Sequence, residues 1–112
     1  AHAGAEVLTV PSAFSTVTGA AHWHALLQAR AIETGCWVLA PAQTGRHPTS
    51  RGPQRETYGH SLVVSPWGEV IADGGTEPGV ISVDFDREKV AEARRRIPSL
   101  THDRDFDGPE RR

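Results

Sequence analysis

The sequence predicts an α/β chain of about five strands and two main helices, on three observations. A short β-type run, a helix-favouring stretch and a second, continuous apolar run follow one another from Glu6 to Ala40, the order of a βαβ unit. Two further β-type runs flank Pro66-Trp67-Gly68, which marks a hairpin. An alternating apolar–polar segment then leads into a second helix that Pro98 stops.

The elements follow in order. Glu6 to Val10 is a short strand, opened by Gly4 and closed by Pro11. Ser12 to Gly19 is rich in Ser, Thr and Gly and reads as a loop. From Ala20 to Glu33 the chain favours helix, and Trp23, Leu26, Leu27 and Ala31 recur at spacings that place them on one face. Thr18 is the candidate N-cap, and Gly35 stands where a C′ glycine ends a helix. Trp37-Val38-Leu39-Ala40 is apolar throughout, as in a strand buried on both faces, and the crossover joining it to the first strand should be right-handed. Thr44 to Thr57 carries Gly45, Pro48, Gly52, Pro53 and three arginines, and reads as an exposed loop. Ser61 to Ser65 and Glu69 to Ala72 are the hairpin strands, and Asp73 to Pro78 is a turn. Gly79 to Phe85 alternates like a strand with one buried face. Asp86 can cap a helix from Arg87 to about Ile97, with Val90, Ala93 and Ile97 as its apolar stripe. Glu92 and Arg96 make an i,i+4 ion pair worth a few tenths of a kcal/mol. Residues 1–98 thus form one unit. Residues 99–112 are a polar tail that cannot build a core, expected to be loose or docked on a partner. Two helices cover only part of the apolar strand faces, so a partner layer is expected.

Composition narrows the function. At 112 residues the chain is one domain or less, and 38% hydrophobic with 23% charged residues is a globular balance. Twelve basic against fourteen acidic residues give a net charge of −2, which argues against a nucleic-acid binder. No apolar run approaches the ~18 residues a membrane span needs, and no secretory leader is evident. Cys36 is the sole cysteine, which excludes an intramolecular disulfide and a Cys-rich zinc site and fits a reducing, cytoplasmic compartment.

The chemically capable residues have plain structural readings. Cys36 opens a strand after a helix and reads as a buried, inert thiol. Lys89, the one lysine, belongs to a solvated helix face, and Glu33 braces its helix. His60 reads as a hydrogen-bonded structural histidine. His22 and His24 lie at i,i+2, on different sides of a helix, whereas zinc-binding helices use i,i+4, so neither a metal site nor a cofactor is expected. The arginines at 46, 51 and 55 offer an anion site, against the simpler reading of a solvated loop.

Four ordered blocks carry a family resemblance: Gly4-Ala5-Glu6-Val7-Leu8-Thr9-Val10-Pro11-Ser12-Ala13-Phe14 with Thr18-Gly19-Ala20-Ala21-His22-Trp23; Leu27-Gln28-Ala29-Arg30-Ala31-Ile32-Glu33 with Val38 to Gly45; Tyr58-Gly59-His60-Ser61 through Glu69-Val70; and Val83-Asp84-Phe85-Asp86 with Arg94-Arg95-Arg96-Ile97-Pro98. Over residues 1 to about 106 the chain resembles the nitrilase, or carbon–nitrogen hydrolase, superfamily, and within it the Nit and ω-amidase-like branch. The resemblance implies the C-terminal part of an α-β-β-α sandwich that hydrolyses amide or nitrile C–N bonds. Its chemistry uses a Cys thiolate as nucleophile, a Glu as general base and acid, and a Lys facing the tetrahedral intermediate. All three positions belong upstream of the segment seen here, and Ala1-His2-Ala3 resembles the end of the helix that follows the nucleophile. The chain itself is therefore expected to hold no catalytic residue and to be inactive alone. What the resemblance assigns to it is the pocket edge: Ser12, Ala13, Phe14 and Thr16 after the first strand, and Gln43 after the second. It also implies a small amide or nitrile substrate bound only together with the N-terminal part, and homo-oligomers built through packed helices; the charge balance and short apolar runs add the expectation of no nucleic-acid or membrane partner. The alternative is a non-catalytic half-fold acting as an interaction or oligomerisation module.

Overall fold

The computed structural model describes residues 1–109. The elements are β1 (Val7–Thr9), α1 (Thr16–Thr34), β2 (Trp37–Ala40), β3 (Thr44–His47), β4 (Arg55–Tyr58), β5 (Leu62–Val64), β6 (Val70–Asp73) and α2 (Glu88–Arg96), followed by a 3₁₀ turn over Ser99–Thr101. Four strands form one sheet in the order β1-β2-β5-β6, and β3 pairs with β4 in a separate ribbon. β1 and β2 run parallel, with Val7 opposite Trp37 and Leu8 opposite Val38, so the expected βαβ unit is present. β5 lies antiparallel to both β2 and β6, and the hairpin turn closes with Ser65 N–H donating to Glu69 O and Gly68 N–H to Ser65 O.

One face of the sheet packs on α1. Trp23, Leu27 and Ala31, at i,i+4 spacing, are buried against Val38, Ala40, Leu62 and Val64. Burying side chains such as Trp23 and Leu27 contributes about 1.5–3 kcal/mol each. The buried indole N–H of Trp23 donates to His60 O at 2.7 Å, which removes the cost of an unpaired donor. Leu26, expected on this face, is exposed, because the contact stripe is narrower than the apolar pattern. The opposite face gathers Trp37, Val63 and Val90, with Val7, Leu39, Ala72, Ile81 and Val83 half-buried around them.

Four expectations about elements need correction. α1 starts at Thr16, so the stretch from Ser12 to Gly19 is only in its first part a loop. Its N-cap is Ser15, whose Oγ accepts the N–H of Thr18; Thr18 is the cap's partner, not the cap. Thr-Val-Thr-Gly is a poor helix former, and the capped first turn is held because Gly19 lies against the Tyr58 ring where a side chain would not fit. The stretch from Thr44 to Thr57 is largely a hairpin, with Thr44 opposite Tyr58 and His47 opposite Arg55. Its strands are polar, so hydrophobic alternation could not reveal them. Finally, Gly79 to Phe85 keeps the predicted alternation, with Ile81 and Val83 turned in and Ser82 and Asp84 out, but forms no ladder. None of residues 79–85 makes a backbone hydrogen bond to another described residue. A strand is defined by its neighbour, and this segment has none within the described chain.

α2 matches expectation to within a residue at each end. Asp86 Oδ1 accepts the Glu88 N–H at 2.8 Å, and Val90 and Ala93 are buried, whereas Ile97 lies just past the helix and is exposed. The Arg96–Glu92 pair forms on the exposed face at 3.8 Å. Arg87 grips Glu6 through two nitrogens, at 2.8 and 2.9 Å, tying α2 to the start of β1. That hydrogen bond, with the charges of Arg87 and Arg94, outweighs desolvation and holds the Glu6 carboxyl below its ordinary range. Beyond the 3₁₀ turn, residues 102–109 carry no regular secondary structure, and the end of the predicted tail, residues 110–112, lies outside the described residues.

Candidate functional site

The C-terminal ends of parallel β1 and β2 point the same way, so the chain leaving each strand arrives at one edge of the sheet. Such edges are where α/β folds place their ligands. Here the edge is a laced rim. Ser12 N–H donates to Pro41 O at 3.0 Å, and Gln43 N–H donates back to Ser12 O at 2.9 Å. On the other side Tyr58 N–H donates to Phe14 O at 3.0 Å, and Gly59 N–H donates to Gln43 O at 3.0 Å. Segment 12–15 is therefore held between the end of β2 and strand β4, and Ser15 bridges to Thr57.

The predicted pocket residues take distinct places on this rim. Ser12 is half-buried and its Oγ turns back to Val10 O at 3.4 Å, a turn-stabilising role. Ala13 offers its carbonyl to Arg55 Nη2 at 2.7 Å. Phe14 packs on the core beside Trp23, ring centroids 4.9 Å apart. Gln43 is exposed and contributes its backbone to the lacing. Thr16 opens α1, exposed, one residue past the N-cap. The structure thus gathers Ser12, Ala13, Phe14 and Gln43 on one rim, with Thr16 at its helical border. Arg55, one of three arginines read as belonging to a solvated loop with an anion site as the alternative, is engaged on the Ala13 carbonyl, and Arg46 faces Glu56 at 3.8 Å.

The thiol, amine and carboxylate types of a hydrolase triad do not meet. Cys36 is fully buried; its thiol lies 3.3 Å from Ala5 O, and Arg94 Nη2 donates to the sulfur at 3.2 Å. Glu33 pairs with Arg30 on the outside of α1, and Lys89 sits 5.7 Å from the face of the Trp37 ring. A buried sulfur cannot reach a substrate, and among the described residues no general base adjoins it.

A second cluster escaped the sequence reading. His24 on α1, His60 between β4 and β5, and Asp73 at the end of β6 converge, with His24 Nε2 2.9 Å from Asp73 Oδ2 and His60 Nδ1 2.9 Å from Asp73 Oδ1. Burial works against an ionised Asp73, but the Gly75 N–H and the two imidazoles more than offset it, so this carboxyl lies below its ordinary range. No sequence pattern points here; in the structure His60, after Gly59, adopts a left-handed conformation, φ 58°, uncommon for a non-glycine residue.

Comparison with known proteins places this arrangement. The family model described as carbon-nitrogen hydrolase matches residues 1–95, and the chain belongs to that family, the nitrilase superfamily. Within it the chain falls in the Nit branch. It is 50% identical over 104 residues to the deaminated glutathione amidase of Homo sapiens, covering 93% of this chain and 31% of that protein. It is 46% identical over 99 residues to the protein of the same name from Synechocystis sp., covering 88% of this chain and 35% of the relative. The crystal structure of Saccharomyces cerevisiae Nit3, of branch 10 of the superfamily, superposes with a TM-score of 0.81 at 36% identity, over 93% of this chain and 36% of that one. The chain spans about a third of the length of these relatives. Among the described residues, no helix is long and apolar enough to cross a membrane.

Proposed function

We propose that this chain supplies the C-terminal third of an amidase that cleaves the C–N bond of a small carboxylic amide, of the deaminated-glutathione type, by a Cys thiolate, Glu and Lys mechanism. In this reading Ser12, Ala13, Phe14, Thr16 and Gln43 form one wall of the pocket, and the three reacting side chains come from the remainder of the fold. The observation that carries the reading is the 50% identity to a named amidase across 93% of the chain. The rim supports it: backbone lacing fixes Phe14 and Gln43 before substrate arrives, the preorganisation that a pocket wall needs. The division of labour also accounts for Cys36, which is closed off by Arg94 and has no base beside it among the described residues. An amide is favoured over a nitrile because the two named relatives are amidases.

The unladdered segment 79–85 and the half-covered second face of the sheet fit a fold whose other layer lies elsewhere. They also keep the second reading alive, in which the chain is a non-catalytic interaction module. One experiment separates the two. Deaminated glutathione is offered to the 112-residue chain alone and to the polypeptide joined to the N-terminal two-thirds of a Nit-branch relative. The amidase reading expects no turnover from the chain alone, turnover from the joined protein, and no effect of Cys36→Ala on that turnover beyond its effect on folding. Turnover by the chain alone that Cys36→Ala abolishes would overturn it, and a folded joined protein without activity would favour the interaction module.

A further inference from the structure

We propose that His24, His60 and Asp73 form a binding site for a divalent transition-metal ion of the zinc class, with three protein ligands and an open fourth position. One ligand atom from each residue lies within 4.8 Å of the other two. The two imidazole nitrogens already sit 2.9 Å from the Asp73 oxygens. In a tetrahedral zinc site with bonds of about 2.0–2.2 Å, neighbouring ligand atoms stand roughly 3.3 Å apart. An ion therefore needs the carboxylate to back off by a few tenths of an ångström and the two imidazole nitrogens, which lie within 4.8 Å of each other, to close toward that spacing by side-chain rotation.

The ligands are held before any ion arrives. The His60 ring stacks on Tyr58, centroids 4.3 Å apart and planes 24° from parallel. Its backbone is pinned at both ends, by its N–H to Gly75 O and by its carbonyl receiving the Trp23 indole, each at 2.7 Å. Asp73 Oδ1 accepts the Gly75 N–H at 2.8 Å, the kind of outer hydrogen bond that orients a ligating carboxylate. His24 meets the edge of both Tyr58 and His60. Among the described residues, the ion-pair partners of Asp73 are the two imidazoles, so no arginine or lysine competes for the carboxylate. The three side chains are between a quarter and a third exposed, at 34%, 24% and 33%, which leaves an entry path and room for a water as fourth ligand.

Two neutral imidazoles and one carboxylate suit Zn²⁺, Co²⁺ or Ni²⁺, whereas Mg²⁺ and Ca²⁺ prefer oxygen sets. The bound ion would staple helix α1 to the far edge strand β6, one residue from Gly59, whose N–H holds the Gln43 carbonyl of the rim. The proposal does not depend on the amidase reading.

The test uses metal-free protein titrated with zinc chloride by calorimetry and with Co²⁺ by visible absorption. One ion per chain is expected, with a Co²⁺ spectrum free of the sulfur-to-metal charge-transfer band that Cys36 would give. His24→Gln and Asp73→Asn should each weaken binding by at least about tenfold, since even outer partners of metal ligands cost about 10–100-fold. His22→Gln, on the same helix but outside the cluster, should leave affinity unchanged. Circular dichroism confirms folding, and should Asp73→Asn unfold the chain, His24→Gln alone decides. The proposal is overturned by the absence of saturable binding, by affinity that survives His24→Gln, or by affinity lost instead in His2→Gln, because His2 and Asp103 form another exposed imidazole–carboxylate pair among the described residues, at 3.2 Å.

Discussion

Gly19 is where a single missing side chain decides local structure. It is buried in the first turns of α1, and an added Cβ would fall on the Cβ and Cγ of Tyr58, the fixed root of the ring and not a flexible tip. Two effects of Gly19→Ala oppose each other. Helix propensity favours alanine by about 1 kcal/mol, while forcing a methyl into a filled contact costs about 1–3 kcal/mol. The contact is close enough for the clash to win, so Gly19→Ala should lower stability by about 1–2 kcal/mol in urea denaturation. In a Tyr58→Gly background, which removes the Tyr58 Cβ as well as the ring, the same substitution should become neutral or stabilising. Equal loss in both backgrounds would show that Tyr58 is not the obstacle. The same residues explain what could be read from the sequence at this scale. A glycine in a Ser/Thr stretch reads as loop because propensity is local, whereas its reason here lies in β4, thirty-nine positions on.

Among the elements, those defined by apolar periodicity were legible and those defined by partners were not. β2 is four apolar residues in a row, and the Trp23, Leu27 and Ala31 stripe of α1 stands out at helical spacing. The β3–β4 ribbon is polar and takes its place from the Ala13, Phe14 and Thr76 carbonyls it binds, none of which sequence pattern can supply. The rim residues were singled out only through family resemblance, and the His24–His60–Asp73 cluster was not legible at all, because its members are 49 and 13 positions apart. Contact between elements also identifies a latch. Arg94 on α2 donates Nε to Thr34 O at 3.2 Å, and Nη2 to Ala5 O at 2.7 Å and to Cys36 Sγ at 3.2 Å. It thereby caps the C-terminus of α1 beside Gly35, whose left-handed φ of 58° ends the helix. Hydrogen bonds to a charged donor contribute about 1.5–3 kcal/mol. Arg94→Ala should cost about that much in the urea midpoint. Arg94→Lys should recover little of it, because an ammonium lacks the planar fork that reaches three acceptors at once. Full recovery by lysine would mean that charge, not geometry, holds the latch.

For the whole molecule, the question is what the described chain lacks. One sheet face is sealed by α1, while the other is covered only by α2 and by residues 79–85, which lie over Trp37, Leu39 and Val63 without a backbone partner. Phe85 reaches the Trp37 ring at 5.8 Å and the Trp37 indole N–H donates to Asp86 O at 3.0 Å, so the segment is anchored at its end. Ahead of that anchor, its backbone amides find no partner among the described residues. Alternating, unpaired backbone is a ready template for a neighbouring strand, and the chain spans about a third of the length of its curated relatives. Hydrogen exchange measures this directly. In the chain alone, the amides of Val80 to Phe85 should exchange at nearly the rate of an unstructured peptide, while those of β2 and β5 remain protected. In the chain joined to the rest of a Nit-branch fold, the same amides should slow by at least about tenfold, the signature of a ladder that opens only with local unfolding. Unchanged rates on joining would mean that the segment is a covering strap and not a strand, and that the layer facing this sheet is built from other residues.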